Sequence, residues 1–122
     1  MSERLASLIV DVPDFPKKGI IFKDITPLLS NAKALQAITT WLGERAEVHQ
    51  ADGILAIESR GFMFGAALAD KLGVGFVPVR KPGKLPAATY RAAYDLEYGS
   101  DAVEIHQDAL QPGDKVVVVD DL

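Results

Sequence analysis

Two adjacent carboxylates, Asp120 and Asp121, follow the apolar run Val116–Val119 of this 122-residue chain. Four β-branched residues behind the turn signal Pro112-Gly113-Asp114 predict a strand buried on both faces. Such strands belong to parallel sheets covered by helices, and open α/β sheets hold ligands at the carboxyl ends of their strands. Carboxylates crowded at such an end repel each other unless a cation or sugar hydroxyls share them. The competing reading is a helix N-cap beside a solvated neighbour. A second group is Glu58-Ser59-Arg60-Gly61, the turn between an apolar strand at Gly53–Ile57 and an Ala-rich helix at Phe62–Leu72. There the backbone N–H groups of a helix start lie beside Arg60, which suits an anion; otherwise Arg60 pairs with Glu58. A third is Arg80–Arg91, where Arg80, Lys81, Lys84 and Arg91 occur without one acid. Pro82, Gly83 and Pro86 make it a loop. Positive charge gathered there in an acidic chain points to a small polyanion such as phosphate or pyrophosphate, with a solvated basic loop as the alternative.

The elements that must position these groups read as α/β. Strand 53–57, helix 62–72 closed by Gly73, and strand 74–79 form a βαβ unit, so the two strands should be parallel. Upstream, residues 2–11 predict a short helix with Leu5, Leu8 and Ile9 on one face, ended by an extended arm through Pro13, Pro16 and Gly19. Phe15 on that arm reads as satellite core, whereas Phe22, beside Lys23-Asp24, could stack a flat ring. A helix over 31–48 takes Asn31 as its N-cap and Leu35, Ile38, Leu42 and Ala46 as one face, with Trp41 as packing and a solvated His49 near its end. Tyr90–Tyr94 and Ala102–His106 predict a hairpin whose tip carries Glu97 and Tyr98, as a lid or an ordinary exposed loop, with His106 facing solvent.

Composition bounds the class. A hydrophobic fraction of 48% with 25% charged residues fits a globular α/β chain. Without cysteine there is no disulfide or thiolate metal site, which suits a reducing compartment. The chain shows neither a signal peptide nor an apolar run long enough for a membrane span. A net charge of −4 argues against a general nucleic-acid binder.

Five stretches, in this order and spacing, resemble the adenine phosphoribosyltransferases, a type I phosphoribosyltransferase family, in their bacterial form. They are Asp14-Phe15-Pro16 with Gly19–Ile25, Glu58–Phe62, Arg80–Pro86, Asp95–Gly99 and Val116–Leu122. The resemblance implies a parallel sheet flanked by helices, with a small N-terminal hood (1–30) and an α/β core (50–122) carrying a flexible β-hairpin lid (85–107), all in one domain. It implies transfer of 5-phosphoribosyl from phosphoribosyl pyrophosphate to adenine, giving AMP and pyrophosphate, with Mg²⁺ carried by pyrophosphate and ribose oxygens rather than by a direct protein ligand. Phe22 would stack on adenine while the backbones of Ile21 and Lys23 read its edge. Arg60, Arg80, Lys81 and Lys84 would hold pyrophosphate, and Asp120 and Asp121 the ribose hydroxyls. Glu97 would exchange a proton with purine N7, and Tyr98 would shield the reacting centre. A cytoplasmic homodimer without nucleic-acid or membrane partners is implied as well.

One departure bears on activity. In the family the aspartate pair runs on into a loop that cradles the 5-phosphate on a helix N-terminus, and this sequence stops at Leu122, ahead of it. The expectation is a truncated domain that turns over poorly as it stands, with an aggregation-prone edge at the valine strand. The alternatives are a phosphoribosyltransferase for another base, a non-catalytic sensor of phosphoribosyl pyrophosphate, and an inactive fragment of the same fold.

Overall fold

A computed structural model describes residues 2–96 and 99–121. Met1–Trp41 and Leu42–Leu122 form two compact units.

In the first unit, α1 (Ser2–Ala6) gives way to an antiparallel pair, β1 (Val10–Pro13) and β2 (Ile21–Asp24), followed by α2 (Thr26–Leu29) and the start of α3 (Ala32–Val48). The helix expected over 2–11 is therefore only five residues long. Its last expected residues, the β-branched Val10 followed by Asp11, pair instead with Asp24 and Lys23 in β1. The expected arm is the turn of this hairpin. Asp14, at φ 56°, accepts the Gly19 N–H on Oδ1 at 2.8 Å, and the Phe15 N–H donates to the Ile20 carbonyl at 3.1 Å. Asp24 Oδ1 accepts both the N–H and the hydroxyl of Thr26, launching α2 with Pro27 in its first turn. Asn31 caps α3 as expected, its Oδ1 accepting the Ala34 N–H at 3.0 Å.

The second unit holds a parallel sheet of order β4-β3-β7, from β3 (Gly53–Ile57), β4 (Gly75–Val79) and β7 (Val116–Val119). α4 (Arg60–Leu72) joins β3 to β4, as the βαβ reading requires, and ends on Gly73 at φ 69°. Ile54 and Ala56 are fully buried under α4. Gly65 permits that approach, since a Cβ there would lie 2.5 Å from the Ala56 Cβ and 3.2 Å from the Phe76 ring. The hairpin β5 (Thr89–Asp95) and β6 (Ser100–His106) pairs as read from the sequence and is tied to the end of β4 by an Arg80–Glu104 bridge.

Two expectations need correction. β7 is not buried on both faces: Val119 is 5% exposed and Val118 58%. It pairs with β3 at the sheet edge, and alternate side chains point to opposite faces, so only the Val119 side reaches the core. His106 does not simply face solvent, because its Nε2 is buried without a hydrogen-bond partner among the described residues.

Candidate active site at the carboxyl ends of the parallel strands

From β3 the chain passes through α4 to β4 on one side, while β7 lies on the other. The strand order thus reverses between β3 and β7, and a crevice at such a switch point is where α/β sheets take ligands. Glu58-Ser59-Arg60 ends one of these two strands and Asp120-Asp121 the other.

The two ends are joined by charge. Arg60 Nε lies 2.5 Å from Asp121 Oδ2, with the side chains 28% and 12% exposed. Arg60 therefore pairs with Asp121 and not with Glu58. Burial, followed by the neighbouring Asp120, pushes the Asp121 carboxyl above the usual carboxylate range, and the Arg60 guanidinium opposes the rise. Asp120 is exposed, and its Oδ1 accepts the Asp121 N–H at 2.8 Å, which orients the pair. Ser59, at the N-cap of α4, makes no side-chain cap hydrogen bond, so its hydroxyl does not occupy the helix start beside Arg60.

Gly61 is what lets this helix start meet β7. A Cβ at residue 61 would lie 2.8 Å from the Val119 carbonyl oxygen, 3.2 Å from the Asp120 Cα and 3.3 Å from Asp120 Oδ1. Backbone cannot yield as a flexible side chain can. Gly61→Ala is expected to destabilise the chain by about 1–3 kcal/mol, the usual range for overpacking, and to displace Asp120. Urea denaturation together with the amide resonances of Asp120 and Asp121 checks this; unmoved resonances would sink it.

The basic stretch is less free than its composition suggested. Glu58 Oε1 accepts the Lys81 N–H at 2.7 Å and Arg80 Nε–H at 3.1 Å. Lys81 Nζ is held by Asp101 Oδ2 and lies 3.1 Å from the Tyr94 hydroxyl. The Asp101 contact, then Tyr94, holds the Lys81 ammonium well above its ordinary range, and the same contact holds Asp101 low. Glu104 Oε1 accepts the Gly83 N–H at 3.0 Å. Lys84 is exposed in the loop, and Arg91 is exposed on β5 opposite Glu104. Sequence reasoning missed Glu58, Asp101 and Glu104 as the acids that shape this loop. The hairpin register brings the last two within reach, and nothing inside the acid-free run announces them.

The expected adenine residues lie in the first unit. Ile21 is exposed, Phe22 half-buried, and Lys23 pairs with Asp11 at 2.5 Å. Both members of that pair are more than half exposed, so it adds little stability. Phe15 is half exposed rather than satellite core, and its ring meets Phe22 edge-on, centroids 5.2 Å apart at 68°. Glu97 and Tyr98 lie outside the described residues.

A family profile described as a phosphoribosyl transferase domain matches residues 24–122. The adenine phosphoribosyltransferase of Chloroflexus aurantiacus is 58% identical over 97% of this chain and 68% of its own length. The crystal structure of the Thermoanaerobacter pseudethanolicus adenine phosphoribosyltransferase superposes with a TM-score of 0.91 at 55% identity, over 97% of this chain and 69% of that one. The Saccharomyces cerevisiae enzyme, solved with D-2,5-dideoxy-2,5-imino-altritol 1,6-bisphosphate and adenine, gives 0.84 at 39% identity, over 96% of this chain and 69% of its own. These matches share the type I phosphoribosyltransferase fold, a parallel sheet flanked by helices, and the chain is shorter than any of the three. With a parallel sheet whose order reverses between β3 and β7 already in place, these matches show that the chain belongs to the adenine phosphoribosyltransferase family.

Proposed function

We propose that this chain supplies the residues that transfer the 5-phosphoribosyl group of phosphoribosyl pyrophosphate to adenine, giving AMP and pyrophosphate in purine salvage. The observation that carries the reading is the meeting of Arg60, Asp120 and Asp121 at the β3/β7 switch point, beside the start of α4. The bond from ribose C1 to pyrophosphate breaks as the bond from adenine N9 to C1 forms, and positive charge develops on the ribose ring. Asp120 and Asp121 accept hydrogen bonds from the ribose 2- and 3-hydroxyls and stabilise that charge. Arg60, Arg80, Lys81 and Lys84 hold the leaving pyrophosphate, Lys81 exchanging Asp101 for a phosphate oxygen. Phe22, braced edge-on by Phe15, offers a ring face to adenine, and the backbones of Ile21 and Lys23 read its edge. Glu97 exchanges a proton with purine N7, and Tyr98 shields the reacting centre.

Mg²⁺ would be carried by pyrophosphate and ribose oxygens rather than by a direct protein ligand, with Asp120 and Asp121 holding the ribose hydroxyls beside it. When bound, Mg²⁺ neutralises charge on the leaving pyrophosphate. Among the described residues no helix is long and apolar enough to cross a membrane. A homodimer working in the cytoplasm completes the proposal.

AMP release from adenine and phosphoribosyl pyrophosphate with Mg²⁺ tests it, with Glu97→Gln as the variant. Loss of the proton-exchanging group is expected to slow turnover about 10²- to 10⁴-fold with near-normal substrate affinity. An unchanged rate would remove Glu97 from the mechanism. Tight binding of phosphoribosyl pyrophosphate by the parent chain with no AMP formed would point instead to a sensor or to an inactive fragment of the same fold.

A further inference from the structure

We propose that Glu58 is the positioning residue of the pyrophosphate site: a single carboxylate oxygen sets both the Arg80 guanidinium and the Lys81 backbone. The proposal rests on the reading of this end of the sheet as a pyrophosphate site. Glu58 directly follows β3, the central strand, and its own N–H donates to the Val79 carbonyl at 3.0 Å, which locks it to the end of β4. Its side chain is 17% exposed. From that anchor Oε1 accepts the Lys81 N–H at 2.7 Å and Arg80 Nε–H at 3.1 Å.

The geometry of guanidinium makes this selective. With Nε–H committed to Glu58, the remaining donors of the planar fork are the two terminal nitrogens, which are the ones suited to bidentate phosphate contact. The Arg80 Cζ lies 6.0 Å from the Phe62 ring centroid, a second restraint on the same group. On its other side the Arg80 backbone exchanges hydrogen bonds with Glu104, at 3.0 and 2.7 Å. Residues 80 and 81 are thus held by Glu58 on one side and by β6 on the other.

An acid beside a polyanion site works against binding through its charge alone. A glutamate kept there must contribute through orientation, and the two effects have opposite signs. Glu58→Asp keeps the charge but withdraws the carboxylate by one methylene from Lys81 N–H and Arg80. Glu58→Gln removes the charge but keeps an acceptor at Oε1.

The experiment is calorimetric titration of the chain and both variants with inorganic pyrophosphate, with the Lys81 amide resonance followed by NMR. Positioning predicts that Glu58→Asp weakens pyrophosphate binding about tenfold to a hundredfold, the range for losing a partner that orients a binding group, and shifts the Lys81 amide. Glu58→Gln, which keeps the acceptor and sheds the opposing charge, then binds pyrophosphate at least as tightly as the parent. Parent-like affinity and an unmoved Lys81 amide in Glu58→Asp would overturn the proposal, since the reach of the carboxylate would then not matter and its charge alone would explain the residue. A parent chain that binds no pyrophosphate would fail the underlying site reading and the proposal with it, an outcome distinct from the first.

Discussion

Leu68→Ala is expected to destabilise the chain by about 2–5 kcal/mol, the range for emptying a closed core position. Leu68 and Ile54 are the largest fully buried side chains among the described residues, and Leu68 is 1% exposed. It lies on α4, the helix that covers β3 and carries Arg60 and Gly61 at its start. The neighbouring Ala69 and Gly65 are small and cannot fill the space left, because Gly65 is already in close contact with Ala56 and Phe76. Leu68→Met, which conserves volume, should cost less than about 1.5 kcal/mol. Urea midpoints at constant m-value separate the two. A Leu68→Ala loss no larger than that of Leu68→Met would mean that α4 is not seated on the sheet as described.

Arg60→Ala has the second largest expected effect, because it acts on stability and on the site together. Removing one partner of a buried ion pair costs about 3–5 kcal/mol; Arg60 is more than a quarter exposed, so water takes up part of that and about 1–3 kcal/mol remains. The loss should depend on pH. Asp121 already sits above its ordinary value of 3.8 because of burial and Asp120, and removing the guanidinium takes away the contact that holds it down. A carboxyl raised in the folded state binds its proton more tightly folded than unfolded. Its unfavourable contribution is therefore absent below the unfolded value and grows as pH rises from 3.8 through the folded value. The gap between Arg60→Ala and the parent should thus narrow towards acid pH and widen towards neutrality. Asp121→Asn, which removes the desolvated charge itself, should cost less than Arg60→Ala at neutral pH. A gap that does not change with pH would show that the two residues are uncoupled. In binding, Arg60→Ala should also weaken inorganic pyrophosphate, whereas Leu68→Ala should leave that affinity unchanged at temperatures where it stays folded.

Local chemistry was enough to read much of this chain. Asn31 caps α3, Gly73 closes α4, and the alternation of apolar strand, Ala-rich helix and apolar strand gives the parallel β3–α4–β4 unit. These follow from backbone and side-chain preferences that act within a few residues, so they are written in the sequence itself. The candidate site was placed by the same reasoning, since strand ends in such a unit share one side. What the sequence left open were the choices that depend on partners distant along the chain. Val10 and Asp11 fall inside the helix expected over 2–11, and pairing with Ile21–Asp24 across the turn places them instead in β1. The valines of β7 are equally apolar, yet Val118 is exposed because its side chain points to the opposite face of the sheet from the buried Val119. Arg60 had an acid two residues away in Glu58, but the register of β7 beside β3 delivers Asp121 instead, leaving Glu58 to Arg80 and Lys81. Charge pairs are chosen by distance in space, falling steeply over a few ångströms. Sequence alone determined which groups are charged and on which strand ends they stand; the packing of β3, β4, β7 and the hairpin decided which of them meet.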